Sequence, residues 1–195
     1  MQPKNSLVSP VRQEMIVKLL REVLEAGVPG EIWECGVYQG GTAELIAETV
    51  ADFYRDSPAS FSSVPLIRLF DTFCGHPVDD PRGHHRKGMY ADTSVEAVSK
   101  RLYRFPNILL GIGKIPEIFP ASGPRIAFAH IDVDLYTSTR DAIHYIWPRL
   151  SRGGILIDDD YDAPGCEGAK IAVDEFFVMG DIEHGPECQV YVRRP

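Results

Sequence analysis

Two acidic runs carry the residues best placed to do chemistry. His130-Ile131-Asp132-Val133-Asp134 closes one apolar stretch, and Asp158-Asp159-Asp160-Tyr161 closes the next. Side chains alternate along a strand, so His130, Asp132 and Asp134 project to one side if the chain stays extended. If the two apolar stretches are neighbouring parallel strands, up to five carboxylates converge on one rim. Like charges that close resist simultaneous ionisation unless a cation sits among them. Oxygen donors without a cysteine or paired-histidine set select magnesium, calcium or manganese over zinc. Such an ion lowers the pKa of a hydroxyl bound to it and so makes a better nucleophile. The plain alternative is a solvated acidic loop carrying separate helix caps.

A second group lies near Glu34-Cys35-Gly36-Val37-Tyr38-Gln39-Gly40-Gly41-Thr42. Glycines there let backbone approach a ligand, but the spacing is not the GxGxxG that seats a dinucleotide pyrophosphate. A carboxylate just ahead of the turn, Glu34, suits a cofactor bearing an ammonium and a sulfonium better than one bearing phosphates. That favours S-adenosylmethionine over NAD. Asp71 ends the next strand, where an acid accepts hydrogen bonds from ribose hydroxyls. The bland readings are a local salt link for Glu34 and a turn start for Asp71. His130 on a central strand reads as a core residue rather than a base. Tyr161 reads more readily as packing than as substrate lining. His76, His84 and His85 touch substrate only if their loop folds over as a lid, and a solvated loop suits each equally well.

These residues need strand ends to hold them, and the patterning supplies strands. Val11, Met15, Leu19 and Val23, with Ile16, Leu20 and Leu24, recur at helical spacing over Val11 to Ala26 and stop at Gly27 and Pro29. Strands are predicted at Glu31 to Cys35, Leu66 to Phe70, Ile108 to Gly111, Ile126 to Asp132 and Ile155 to Asp158. Helices are predicted at Ala43 to Tyr54, Ser94 to Arg104, Thr137 to Leu150 and Glu167 to Val178, with one turn near Pro116 to Phe119. Ser138 and Asp141 suggest an acidic capping box for the third of these helices. Asp71 to Asp92 is a long loop of the kind that is functional or disordered. Ile182 to His184 and Gln189 to Val192 form a closing antiparallel pair. Alternating strands and helices imply an α/β, Rossmann-like domain with a mostly parallel sheet and an antiparallel C-terminal edge. Residues 1–29 form an N-terminal helical segment and 30–195 the main domain.

The 195 residues suffice for one domain with its own core, and 44% hydrophobic with 25% charged residues is an ordinary globular balance. A net charge of -8 argues against a broad nucleic-acid surface, leaving a small-molecule partner. Cys35, Cys74, Cys166 and Cys188 form no CxxC pair, which points to reduced thiols in a cytoplasm. The N-terminus lacks a signal-like apolar core, and no apolar run approaches the ~20 residues of a membrane helix.

Beyond the residues themselves, the chain resembles the macrocin-type (TylF/MycF) sugar O-methyltransferases over about Glu31 to Phe177. The likeness rests on the Glu34 to Gly41 motif and on Phe70-Asp71-Thr72-Phe73 followed by Gly75 and Pro77. It rests further on His130 to Thr139, and on Gly153-Gly154 followed by Asp159-Asp160-Tyr161. The resemblance implies a class I methyltransferase fold that uses S-adenosylmethionine and magnesium to methylate a hydroxyl beside another oxygen function. It implies Glu34, Gly36, Val37, Tyr38, Gly40, Gly41, Thr42 and Asp71 toward the cofactor, and Asp132, Asp159 and Asp160 as metal ligands. Asp134 resembles the acid that takes the hydroxyl proton, although Asp132 and Asp134 are interchangeable in these roles and Asp158 leaves the register of the second run open. Extra N-terminal helices of the relatives have no counterpart, so the pocket is expected to be more open or completed by a neighbouring copy in a homo-oligomer. The competing classes are a metal-dependent phosphoester hydrolase, which clustered aspartates also serve, and a non-catalytic scaffold of the same fold.

Overall fold

The computed structural model describes residues 6–55, 64–178 and 181–195; the first five residues of the predicted N-terminal segment lie outside it. Helix α1 (Pro10–Glu25) starts with proline at its first turn, where a missing N–H costs nothing, and Gly27 ends it at φ +63°. Ile16, Leu19, Leu20, Val23 and Leu24 form its buried stripe. Val11, assigned to that stripe by spacing, is exposed instead. Gln13 is buried in its stead and donates from Nε2 to the Val8 carbonyl at 2.7 Å.

The remaining elements are β1 (Glu31–Cys35), α2 (Gly41–Arg55), β2 (Ile67–Asp71), α3 (Val95–Leu102), β3 (Ile108–Ile112), β4 (Ile126–Ile131), α4 (Tyr136–Ile146), β5 (Leu150–Asp158), α5 (Glu167–Phe176), β6 (Glu183–His184) and β7 (Val190–Arg193). They build one sheet in the order β3-β2-β1-β4-β5-β7-β6. The first five strands run parallel, and β7 and β6 close it antiparallel, as the alternating pattern predicts.

Period-two alternation splits the core between the faces. Ile32, Leu69, Phe128 and Ile157 pack with α1, α2 and α3, whereas Trp33, Phe70, Ala129 and Leu156 pack with α4 and α5. Glu34 and His130 lie two residues beyond Ile32 and Phe128. They therefore face α1, side by side in the β1–β4 register.

The departures from the sequence reading that matter most lie around α4 and β5. The helix predicted to run to Leu150 ends at Ile146, and Trp147–Arg149 forms a single 3-10 turn around Pro148. Its N-cap is Leu135 with no side-chain cap, because Ser138 already lies inside the first turns and Asp141 pairs with Arg140. Strand β5 begins at Leu150 rather than Ile155, bent by Gly153 at φ +78°, so its register on β4 jumps from Leu150 against Ile126 to Ile155 against Phe128.

Between β2 and α3 the long loop has no regular element, yet it is tied down. His76 N–H donates to the Met89 carbonyl and Gly88 N–H to the His76 carbonyl, both at 2.9 Å, pinching the two limbs together. His84 N–H then docks the tip on the Gly165 carbonyl at 3.0 Å.

Candidate active site

Strand order reverses between β1 and β4, and open α/β sheets bind ligands at such a point beyond the carboxyl ends of the strands. A cleft of about 290 Å³ opens there. Its wall includes the β1 turn, Asp71, His76, Tyr90, Asp132, Asp134, Asp159, Asp160 and, from the N-terminal segment, Ser6 to Val8 and Arg12.

Gly36 makes the turn possible. It sits at φ +89°, and a Cβ there would lie 1.7 Å from the Asp132 carbonyl oxygen. The β1 turn and the β4 end thus touch backbone to backbone. Asp71 then clasps the turn: Oδ2 accepts from Val37 N–H at 2.7 Å and Tyr38 N–H at 2.8 Å, while Oδ1 accepts from Phe73 N–H at 2.7 Å. Besides bordering the cleft, Asp71 therefore shapes the loop expected to hold the cofactor. Gly36, Val37, Tyr38, Gly41 and Thr42 border it too, and Thr42 Oγ1 lies 3.0 Å from Ser6 Oγ. Gly40 instead faces Val98 and Arg101 of α3.

Glu34 lies fully buried beneath the turn rather than on the cleft wall. Its Oε1 is 3.4 Å from His130 Nδ1, and His130 Nε2 is 3.5 Å from Asp159 Oδ1. Asp159 Oδ2 pairs in turn with the Arg12 guanidinium, and its Oδ1 accepts from Gln189 Nε2 at 2.5 Å. Anion and cation alternate along this buried string. Burial opposes charge on His130, but Asp159 and Glu34 outweigh it and push its pKa up to about 10. Burial likewise opposes charge on Asp159, and His130 and Arg12 still hold its pKa below the usual carboxylate range. Burial raises the pKa of Glu34 despite His130. His130 is thus a buried counter-ion, in keeping with its reading as core.

Among the described residues Asp132, Asp158 and Asp160 make no ion pair, although His130 and Arg12 still act on Asp132. Burial, reinforced by neighbouring carboxylates, raises Asp132 and Asp160 well above the ordinary range. Asp158 is raised to about 7, again by burial first, while its Oδ1 accepts from Asp160 N–H at 3.1 Å. Asp132 comes together with His130 and Asp159, and Asp160 with Asp134 and Cys166. The expectation that Asp134 continues an extended strand is corrected here. Its φ is +59°, so the chain turns at Asp134, and its N–H donates to Asp160 Oδ2 at 2.7 Å. Aspartate tolerates that left-handed conformation better than most residues. Of the loop histidines, His76 and His85 reach Asp134 while His84 points to Glu167 and solvent. Tyr161 packs: its hydroxyl donates to Asp174 at 2.7 Å and Lys170 covers its ring.

Arg12, Gln189, Tyr90 and Cys166 were not singled out in the sequence. Nothing in their local pattern marks them, because each reaches the site from an element remote along the chain.

The model of the family described as Macrocin-O-methyltransferase (TylF) matches residues 4–185. Among curated relatives, the mycinamicin III 3''-O-methyltransferase of Micromonospora griseorubida is 29% identical over 178 residues, 85% of this chain and 68% of the relative. The 8-demethyl-8-(2,3-dimethoxy-alpha-L-rhamnosyl)-tetracenomycin-C 4'-O-methyltransferase of Streptomyces olivaceus is 30% identical over 177 residues, 85% of this chain and 66% of the relative. The solved structure of the O-methyltransferase NovP superposes with a TM-score of 0.78 at 27% identity, covering 94% of this chain and 79% of that one. The chain thus spans about two thirds of the length of the curated relatives it matches.

Proposed function

The chain belongs to the macrocin O-methyltransferase (TylF) family, and we propose that it moves the methyl group of S-adenosylmethionine to one hydroxyl of a small sugar or other natural-product acceptor. In this reading the acceptor carries a second oxygen function beside the methylated one, and a divalent cation of the magnesium kind sits at the carboxylate rim. The relatives named for methylating mycinamicin and a tetracenomycin glycoside support the acceptor class. One observation carries the proposal: the β1 turn and the rim of Asp132, Asp134, Asp159 and Asp160 border the same cleft.

The rim residues fit a hard cation. Their donors are carboxylate oxygens, and burial first, then the neighbouring carboxylates, disfavours the charged form of Asp132 and Asp160, a cost that a bound cation would offset. Asp132, Asp159 and Asp160 would hold it, Asp159 sharing its carboxylate with Arg12. When bound, the cofactor supplies an electrophilic methyl and the cation supplies positive charge beside the acceptor oxygens.

The chain's own residues do the rest. The Gly36 to Tyr38 backbone, braced by Asp71, fixes one wall of the cleft. Glu34 sits behind that wall and places a carboxyl beneath the turn, its Oε1 3.4 Å from His130 Nδ1. Asp134 stands at the cleft paired, among the described residues, with His76 and His85 rather than with arginine or lysine, and takes the hydroxyl proton as the O–C bond forms and the S–C bond breaks. The pinched loop bearing His76 and Tyr90 covers the reacting end, which favours positioning over bulk water. Four unpaired cysteines agree with a reducing, cytoplasmic setting. No helix among the described residues is long and apolar enough to cross a membrane.

Labelled-methyl transfer to sugar-bearing and polyol acceptors, with and without chelator, tests this reading. Asp160→Asn and Asp159→Asn are each expected to abolish cation-dependent transfer while S-adenosylhomocysteine still binds by calorimetry. Absence of that binding would favour a hydrolase, and equal turnover with and without chelator would remove the cation from the mechanism.

A further inference from the structure

At Asp134, where the rim meets the pinched loop, a different donor set converges beside Asp160. His85 Nε2 lies 3.4 Å from Cys166 Sγ, Cys166 Sγ 3.5 Å from Asp134 Oδ1, and Asp134 Oδ1 3.6 Å from His85 Nε2. Zinc bonds of about 2.0–2.1 Å to nitrogen and oxygen and about 2.3 Å to sulfur, at tetrahedral angles, put donor atoms about 3.3–3.6 Å apart. The three atoms therefore already outline one face of a zinc tetrahedron. His85 and Cys166 are buried, so both are held in place, and Tyr90 stacks on the His85 ring at 5.8 Å.

The surroundings supply the outer support that such ligands need. His85 Nδ1 is 3.2 Å from His76 Nε2. An Nδ1–H donated to His76 leaves the Nε2 lone pair of His85 aimed at the triangle, the arrangement by which metal-bound histidines are commonly oriented. His76 Nε2 also lies 3.4 Å from the other oxygen of Asp134. Asp134 is half-buried and also borders the cleft, so the triangle adjoins it.

We propose that His85, Asp134 and Cys166 form a site for a borderline-soft dication of the zinc kind, sharing Asp134 with the oxygen rim but differing from it in its nitrogen and sulfur donors, and that metal bound there withdraws Asp134 from proton transfer. Binding forms three coordinate bonds and releases the Cys166 thiol proton to solvent, with no change of oxidation state at metal or sulfur. The site stands on its own geometry, whereas its inhibitory effect rests on Asp134 acting as the base proposed above.

Cobalt(II) and zinc(II), added singly to the full chain in a large excess of magnesium, test both parts. Cobalt is expected to give a thiolate-to-cobalt charge-transfer band and tetrahedral visible bands at one equivalent. Cys166→Ser is expected to lose the band while still turning over in magnesium alone, and Cys188→Ser to keep the band. Zinc is expected to reduce methyl transfer at least ten-fold in the wild-type chain and far less in Cys166→Ser, with S-adenosylhomocysteine binding unchanged in both. No thiolate band, or a band that survives Cys166→Ser, overturns the site. A band without inhibition leaves the site standing and overturns the role of Asp134 as base.

Discussion

Single residues set the tolerances of this cleft, and Gly36 is the tightest. Its φ of +89° and the 1.7 Å approach to the Asp132 carbonyl leave no room for a side chain. Gly36→Ala is expected to cost about 2–4 kcal/mol in stability and to weaken S-adenosylhomocysteine binding more than ten-fold. A wild-type melting curve and affinity would show that the backbone contact is dispensable. Arg12 acts differently, because it already neutralises Asp159 from the protein side. A unit charge about 4 Å away is worth several kcal/mol at an effective dielectric near 20, so removing it leaves the rim more attractive to a cation. Arg12→Gln is expected to bind manganese about ten-fold more tightly by electron paramagnetic resonance titration; weaker binding would mean that Arg12 builds the site rather than competes for it. The acids of the rim were legible because runs of carboxylates at strand ends are rare and chemically loud. Arg12 was not, since it stands on the polar face of a helix 147 residues before its partner.

At the scale of elements, α1 does two tasks at once: it seals one face of the sheet and it delivers Arg12. Leu20 is fully buried in that seam. Leu20→Ala is expected to lower stability by about 3 kcal/mol in urea unfolding, the usual cost of a leucine-sized cavity that relaxes little. A loss below about 1 kcal/mol would mean that the seam repacks. Because the same helix carries Arg12, that variant should also shift cation affinity toward the Arg12→Gln value. The element order was readable from periodicity, since parallel strands buried on both faces give apolar runs such as Ile126 to Ile131. The ends were less so. Tertiary pairing with β4 extends β5 back through Ser151 to Gly154, residues whose local preference is for a turn. The turn at Asp134 escaped the alternation rule for a related reason. Asp160 captures its N–H from the next strand, and no local pattern foretells a hydrogen bond across 26 residues.

Across the whole molecule, the cleft is walled by distant parts of the chain: the Ser6–Arg12 segment, the β1 and β2 turns, the pinched loop and the ends of β4 and β5. A ligand there bridges units that must all be folded for it to bind, so its binding energy adds to the stability of the entire sheet. At about 100 times its dissociation constant, S-adenosylhomocysteine contributes about 2.7 kcal/mol. For a chain of this size each kcal/mol raises Tm by about 2–4 °C, so the expected shift is about 5–10 °C. Gly36→Ala, with its more than ten-fold weaker binding, should cut that shift to about half or less, whereas Leu20→Ala should lower the starting Tm and keep most of the shift, because it leaves the β1 turn unaltered. Differential scanning calorimetry with and without ligand reads both. If ligand instead raised only a separate, earlier transition, the N-terminal segment would be a locally unfolding lid rather than part of one cooperative unit.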